Sequence, residues 1–140
     1  MVDVGAKPVT LREAVAEAVV TVNRAALNAL AEGSGKGDAV AVAELAGIMG
    51  AKRTSDLVPL CHPIALTHVS VTGSIATGSV RFEARCATSG QTGVEMEALV
   101  AASTAALTLY DMLKSVDRSM SMTTRLIAKS GGRSGTWRRE

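Results

Sequence analysis

Aromatic side chains are almost missing from this chain: Phe82, Tyr110 and Trp137 are the only ones among its 140 residues. A core without rings has to be filled in thin layers by small aliphatic side chains, and Ala and Val supply most of them. Such a core gains from further burial in an oligomer. The same scarcity removes the stacking platforms on which single-stranded nucleic acids are held. Cysteine is scarce too: Cys61 and Cys86, in a chain without a signal-peptide run over Met1–Lys7, are expected to be free thiols. With His62 and His68 they give no zinc spacing, since adjacent ligands such as Cys61-His62 close awkwardly into a tetrahedron, and no metal site is expected. No run reaches the roughly 18 to 20 apolar residues of a membrane helix, so a soluble cytoplasmic chain is expected. A net charge of +2 is too small to point to nucleic acid or an anionic membrane. The length fits one domain, taken as 1–140.

What is present is organised around Gly93–Ser115, a long Ala-, Leu- and Met-rich stretch with carboxylates at both ends. Helix propensity and pattern agree there, and Thr92 with Glu95 has capping-box spacing. At 3.6 residues per turn Glu97, Ala101, Thr104, Thr108, Asp111 and Lys114 fall close to one stripe. Asp111 and Lys114, at i,i+3, can touch. Glu97 lies fourteen residues before Asp111, which at 1.5 Å per residue is about 21 Å. If both ends act on one small molecule, a two-fold dimer brings the Glu end of one chain to the Asp-Lys end of another. Taken alone, the charges equally suit the two ends of a helix dipole.

Before this helix, Val2–Val4 is β-prone and Lys7-Pro8 ends it. Thr10–Val22 is ambiguous, because Ala and Glu favour helix whereas Val15, Val19, Val20 and Val22 support the alternation of a strand, and it is read as a strand. Asn23–Glu32 reads as a helix stopped by Gly33-Ser34-Gly35. Asp38 is a good N-cap for a helix over Ala39–Gly50, with Val42, Leu45, Ala46 and Met49 as its inward face, which leaves Lys36 just outside the cap. Two prolines stiffen Val58–Pro63 into a loop presenting Leu60, Cys61 and the titratable His62. Ala65–Ser74 and Ser79–Thr88 alternate as a hairpin with Val69, Val71, Val80 and Phe82 inward, while Arg81, Glu83 and Arg85 share the other face and His68 is structural. Met120–Ala128 reads as a last strand. Lys129–Gly135 is a glycine-rich run whose amides, with Lys129 and Arg133, can form an anion nest or a basic tail. The element order contains a βαββαβ-like core, an α+β arrangement of antiparallel sheet against helices.

Five segments together resemble one family: Lys36-Gly37-Asp38, Ala51–Pro63, Thr92–Leu99, Tyr110–Lys114 and Ala128–Gly132. The chain is similar, over nearly its whole length, to the cyclic pyranopterin monophosphate synthases, the molybdenum cofactor biosynthesis protein C family. That resemblance implies a ferredoxin-like α+β fold and a hexamer built as a trimer of dimers with shared active sites. It implies a lyase taking 3′,8-cyclo-7,8-dihydro-GTP to cyclic pyranopterin monophosphate with loss of pyrophosphate, without a metal or organic cofactor. By position it makes Asp111 the catalytic acid/base, with Lys114 and Lys52 beside it in the chemistry. Lys36 and Lys129 match further active-site lysines, Leu60, Cys61, His62, Met96 and Glu97 match substrate-binding segments, and Glu95 matches another functional carboxylate. The cations would neutralise a triphosphate and stabilise departing pyrophosphate. The rival class is a small RNA- or nucleotide-binding module built on Arg53, Lys129, Arg133 and Arg138-Arg139; Asp111 and Glu97 would repel such a polyanion.

Overall fold

Alternation prevails over helix propensity in the first long element, Thr10–Thr21, which is strand β1 of a computed structural model describing residues 1–33 and 35–140. Ser34, expected in the stop after the first helix, lies outside the described residues. Helices α1 (Arg24–Glu32), α2 (Ala39–Ala51) and the short α3 (Thr54–Leu57) follow. Strands β2 (Leu66–Ala76) and β3 (Ser79–Gly90) form the hairpin, α4 spans Glu95–Leu113, and β4 (Met122–Ser130) and β5 (Trp137–Arg138) close the chain. The sheet order is β2-β3-β1-β4-β5, antiparallel throughout. Without β5, which extends the β4 edge, this is the strand order of a ferredoxin-like βαββαβ core.

Two expectations fail locally. Val2–Val4 pairs with no strand and leads into a turn closed by Lys7 N–H donating to the Val4 carbonyl at 3.0 Å. The last strand starts two residues late and runs through Lys129 and Ser130, so Lys129 belongs to the sheet and not to the glycine loop. Asn23 and Asp38 do cap their helices: Asn23 accepts from Ala26 N, and Asp38 accepts from Val40 N and Ala41 N at 3.0 and 3.1 Å.

The third difference concerns α2. Its expected apolar face is the outer one, with Leu45 and Met49 each 60% exposed, while Ala39, Ala43, Gly47, Gly50 and Ala51 are buried. Small residues face inward because α2 lies against α4 closer than larger side chains allow. A Cβ added to Gly47 would come within 2.8 Å of the Ala101 carbonyl oxygen, and one on Gly50 within 2.5 Å of Thr104 Oγ1. Helix α4 answers with Ala98, Ala101, Ala102, Ala105 and Ala106, all buried, and packs its other side on β1 and β3. By length and composition α4 could cross a membrane, at a mean hydropathy of 1.2, but its packing is that of a core helix. Phe82 fills the sheet side of the core at 0% exposure.

Away from the helices, the sheet carries an ion-pair network on Glu17, whose side chain is 6% exposed. Arg81 Nε and Arg125 Nη2 each reach it at 2.5 Å, Arg81 also reaches Glu83, and Arg85 pairs with Glu13. Burial alone would raise the Glu17 pKa; the two guanidinium groups outweigh it and hold the carboxyl below its usual 4.5. The folded chain therefore binds this proton more weakly than the unfolded chain, and the stabilisation present above pH 4.5 is lost as the pH falls through the folded value. Acid titration of the denaturation midpoint should show that loss in the unmutated chain and not in Glu17→Gln, which should also be less stable at neutral pH by about 1–3 kcal/mol. Gly50→Val should destabilise by about 1–3 kcal/mol in urea unfolding, because the seam between α2 and α4 has no room for it.

Candidate active site

Helix α4 carries charged groups at both ends, and their surroundings differ. At its C-terminal end Asp111 is met by two ammonium groups: Lys114 Nζ lies 2.6 Å from Oδ1 and Lys36 Nζ lies 3.5 Å from Oδ2. Lys114 is the i,i+3 neighbour, as its spacing requires. Lys36 comes from 75 residues away, delivered by the Asp38-capped start of α2, which runs antiparallel to α4. All three side chains are more than half exposed. The hydrogen bond and charge of Lys114, then the charge of Lys36, hold the Asp111 carboxyl below its usual 3.8, so it is a carboxylate at neutral pH.

The other end of α4 opens onto a cleft of about 370 Å³ lined by Leu60, Cys61, His62, Glu95, Met96 and Glu97, together with Thr92, Gly93 and, from the N-terminal segment, Met1, Val2, Val4 and Lys7. The proline loop is held as its sequence suggests: Val58 N–H donates to the Thr54 carbonyl at 2.9 Å and Cys61 N–H to the Val58 carbonyl at 3.1 Å. The expected capping box is not formed. Val94 is the N-cap residue, no side chain caps the helix, and the Glu95 carboxylate lies back over Gly93. The first-turn amides therefore stay clear of Thr92, and Glu97, 3% exposed, accepts from its own amide.

Burial raises the Glu97 pKa above its usual 4.5, its own amide pulls it back in part, and the charge of Glu95 raises it further. Burial and the Glu97 charge also raise the thiol of Cys61, and push that of Cys86 in the core up to about 12. Both cysteines are free thiols, and neither environment favours a thiolate nucleophile. Among the described residues no three His, Cys, Asp or Glu groups lie close enough to hold a metal ion.

The eleven residues singled out from the sequence thus fall into separate places. Lys36, Asp111 and Lys114 meet; Leu60, Cys61, His62, Glu95, Met96 and Glu97 line one cleft. Lys52 is exposed at the C-cap of α2, and Lys129 on β4 donates to the Ser134 hydroxyl. Sequence reasoning missed the part played by Lys7 and its neighbours. They reach the cleft because Gln91 Nε2 donates to the carbonyls of both Gly5 and Lys7 at 3.0 Å, a contact across more than eighty residues that no local pattern signals.

A ferredoxin-like sheet with an acid-lysine cluster at one end of α4 and a carboxylate-lined cleft at the other defines a class of small α+β protein. The model of the MoaC family matches residues 1–132, and the chain belongs to that family. It is 58% identical over 139 residues to the cyclic pyranopterin monophosphate synthase of Roseiflexus sp. strain RS-1, covering 96% of this chain and 88% of the relative. It is 55% identical over 144 aligned residues to the enzyme of that name from Chloroflexus aggregans, covering 100% and 87%. The corresponding protein of Rhodospirillum rubrum is 56% identical over 141 residues, covering 98% and 85%.

Two outcomes follow from the contrast between the ends of α4. Lys114→Met should move the Asp111 titration, followed by carboxyl NMR, up toward 3.8. For Glu97 the folded chain holds the proton more tightly than the unfolded one, so stability falls as the pH rises from about 4.5 through the raised folded value. Glu97→Gln should therefore have a higher denaturation midpoint than the unmutated chain at pH 8 and no such advantage at pH 4.

Proposed function

We propose that this chain is a lyase converting (8S)-3′,8-cyclo-7,8-dihydroguanosine 5′-triphosphate to cyclic pyranopterin monophosphate and diphosphate, a step of molybdenum cofactor biosynthesis. Residues 1–140 act as a single catalytic domain, in the cytoplasm, on a small-molecule substrate. The observation that carries the chemistry is Asp111 held between Lys114 and Lys36 on an open surface. Forming a cyclic monophosphate requires a hydroxyl oxygen to attack the α-phosphorus while the bond to the β,γ-diphosphate breaks. The hydroxyl proton goes to a base, and the leaving diphosphate is stabilised by cations. A carboxylate with an ammonium group on the next helical turn supplies the base and an acid for this step and for the ring rearrangement before it. Lys52, Lys36 and Lys129 add charge for the phosphates. The cleft with Leu60, Cys61, His62, Met96 and Glu97 takes the purine-derived end, where the buried Glu97 and its neighbour Glu95 offer hydrogen bonds to ring N–H groups.

Within one chain the cleft and the acid-lysine cluster stand about 21 Å apart along α4, too far for one nucleotide-sized ligand to engage both at the helix. That separation supports a site completed by a second copy, in a hexamer of 14.4 kDa chains. The exposed Val42, Leu45 and Met49 of α2 suit burial in such an assembly.

Supplied with the cyclo-dihydro-GTP, the unmutated chain should release pyrophosphate and the cyclic product, and Asp111→Asn should lower kcat by 10²-fold or more without changing the oligomer. A fully active Asp111→Asn would remove the catalytic assignment. Inactive Glu97→Ala and Asp111→Asn chains, mixed and allowed to exchange subunits, should regain part of the activity; exchange without rescue would place the whole site in one subunit.

A further inference from the structure

Residues 1–8 form one wall of the carboxylate-lined cleft, through Met1, Val2, Val4 and Lys7, yet very little holds them to the body of the protein. They belong to no strand or helix, and Val4 is the one half-buried residue among them. Behind Val4 lies a hollow of about 210 Å³, lined also by His62, Ile64, Thr88 and Gln91, so even this side chain is packed loosely. The segment is closed on itself: Gly5 N–H donates to Asp3 Oδ1 at 2.8 Å and Lys7 N–H to the Val4 carbonyl at 3.0 Å. Among the described residues only two hydrogen bonds join it to the rest of the chain. Both come from the Gln91 side-chain amide, which donates to the carbonyls of Gly5 and Lys7 at 3.0 Å. Since both partners are acceptors, only the NH2 end of that amide can face them. Gln91 is itself fixed, because Arg12 of β1 donates through Nε to the Gly90 carbonyl and through Nη2 to the Gln91 carbonyl, at 2.9 and 3.1 Å.

We propose that Gln91 is a positioning residue, a latch that holds residues 1–8 as the movable wall of the cleft and thereby sets how tightly the substrate is bound. This rests on the lyase reading above, in which the cleft takes the purine-derived end. A turn that is closed on itself, carries one loosely packed side chain and depends on one amide lies at the low end of local stability. It opens as a unit while the sheet behind it stays folded. Opening exposes the cleft for substrate entry; closing restores Met1, Val2 and Val4 to its wall beside the buried Glu97. Because the substrate gains those contacts only in the closed form, its apparent affinity scales with the closed fraction. Gln91 touches no reacting atom, so loss of the latch acts on binding and leaves the chemistry at Asp111 unchanged.

The test compares Gln91→Met, which keeps the side-chain length and removes both donors, with Gln91→Glu, which sets a carboxylate against the two carbonyl oxygens. Methyl NMR relaxation of Val4 should show the segment ordered in the unmutated chain and mobile in both variants, with the thermal midpoint unchanged because the sheet does not depend on it. KM for the cyclo-dihydro-GTP should rise roughly fivefold in Gln91→Met and further in Gln91→Glu, while kcat stays within about twofold. A Val4 as ordered in Gln91→Met as in the unmutated chain would overturn the latch, and a mobile segment with KM untouched would overturn its part in binding. A large fall in kcat at saturating substrate would overturn it too, since Gln91 would then act on the chemistry. If the unmutated chain forms no product, the lyase reading fails and Val4 relaxation alone decides the latch: a mobile segment in Gln91→Met supports it and an ordered one removes it.

Discussion

The close approach of α2 to α4 is the contact on which the rest depends. Gly47 and Gly50 let one helix backbone settle against Ala101, Thr104 and Ala105 of the other at a distance that any larger pair would forbid. Antiparallel and in contact, the two helices bring the capped start of α2 to the C-terminal end of α4, and with it Lys36 to Asp111. The same contact explains a core poor in aromatics: thin layers of Ala fill the space between helices that lie this close. It also explains why the larger apolar residues of α2 are turned outward, where another copy can cover them.

One helix creates two opposite electrostatic settings. At its start Glu97 is buried beside Glu95, and both desolvation and like charge favour the protonated form. At its end Asp111 is exposed between two lysines, which favour the carboxylate. Groups whose environments push their pKa values apart are suited to different roles. Both settings come from placement and not from residue type, since each group is an ordinary carboxyl.

The outer face of the sheet is stabilised differently. Glu17 sits under Arg81 and Arg125 from the two strands flanking its own, so the central strand is tied to its neighbours by charge as well as by the backbone ladder. This rigid sheet gives the N-terminal segment and the glycine loop fixed supports, through Arg12 to Gly90 and Gln91 and through Gln91 back to Gly5 and Lys7.

Much of this was legible in the residues themselves. Alternation marked β1, β2 and β3, Asn23 and Asp38 marked their helix starts, and the i,i+3 spacing of Asp111 and Lys114 predicted their contact, because each of these depends on neighbours within a turn or a pleat. Motif resemblance placed the chain in its family. Where local rules failed, a contact between distant segments had decided. Thr92 and Glu95 have capping-box spacing, but the Glu95 carboxylate packs over Gly93 and Val94 takes the N-cap position. Val42, Leu45 and Met49 have the spacing of a buried face, but helix separation selected the small residues opposite. The sequence by itself determined the elements, their caps and the family, since those follow from short-range geometry and composition. Only the tertiary structure decided which face of α2 is buried, that Lys36 meets Asp111, and that Lys7 reaches the cleft at the start of α4. Each of these is set by how closely two backbones pack across tens of residues.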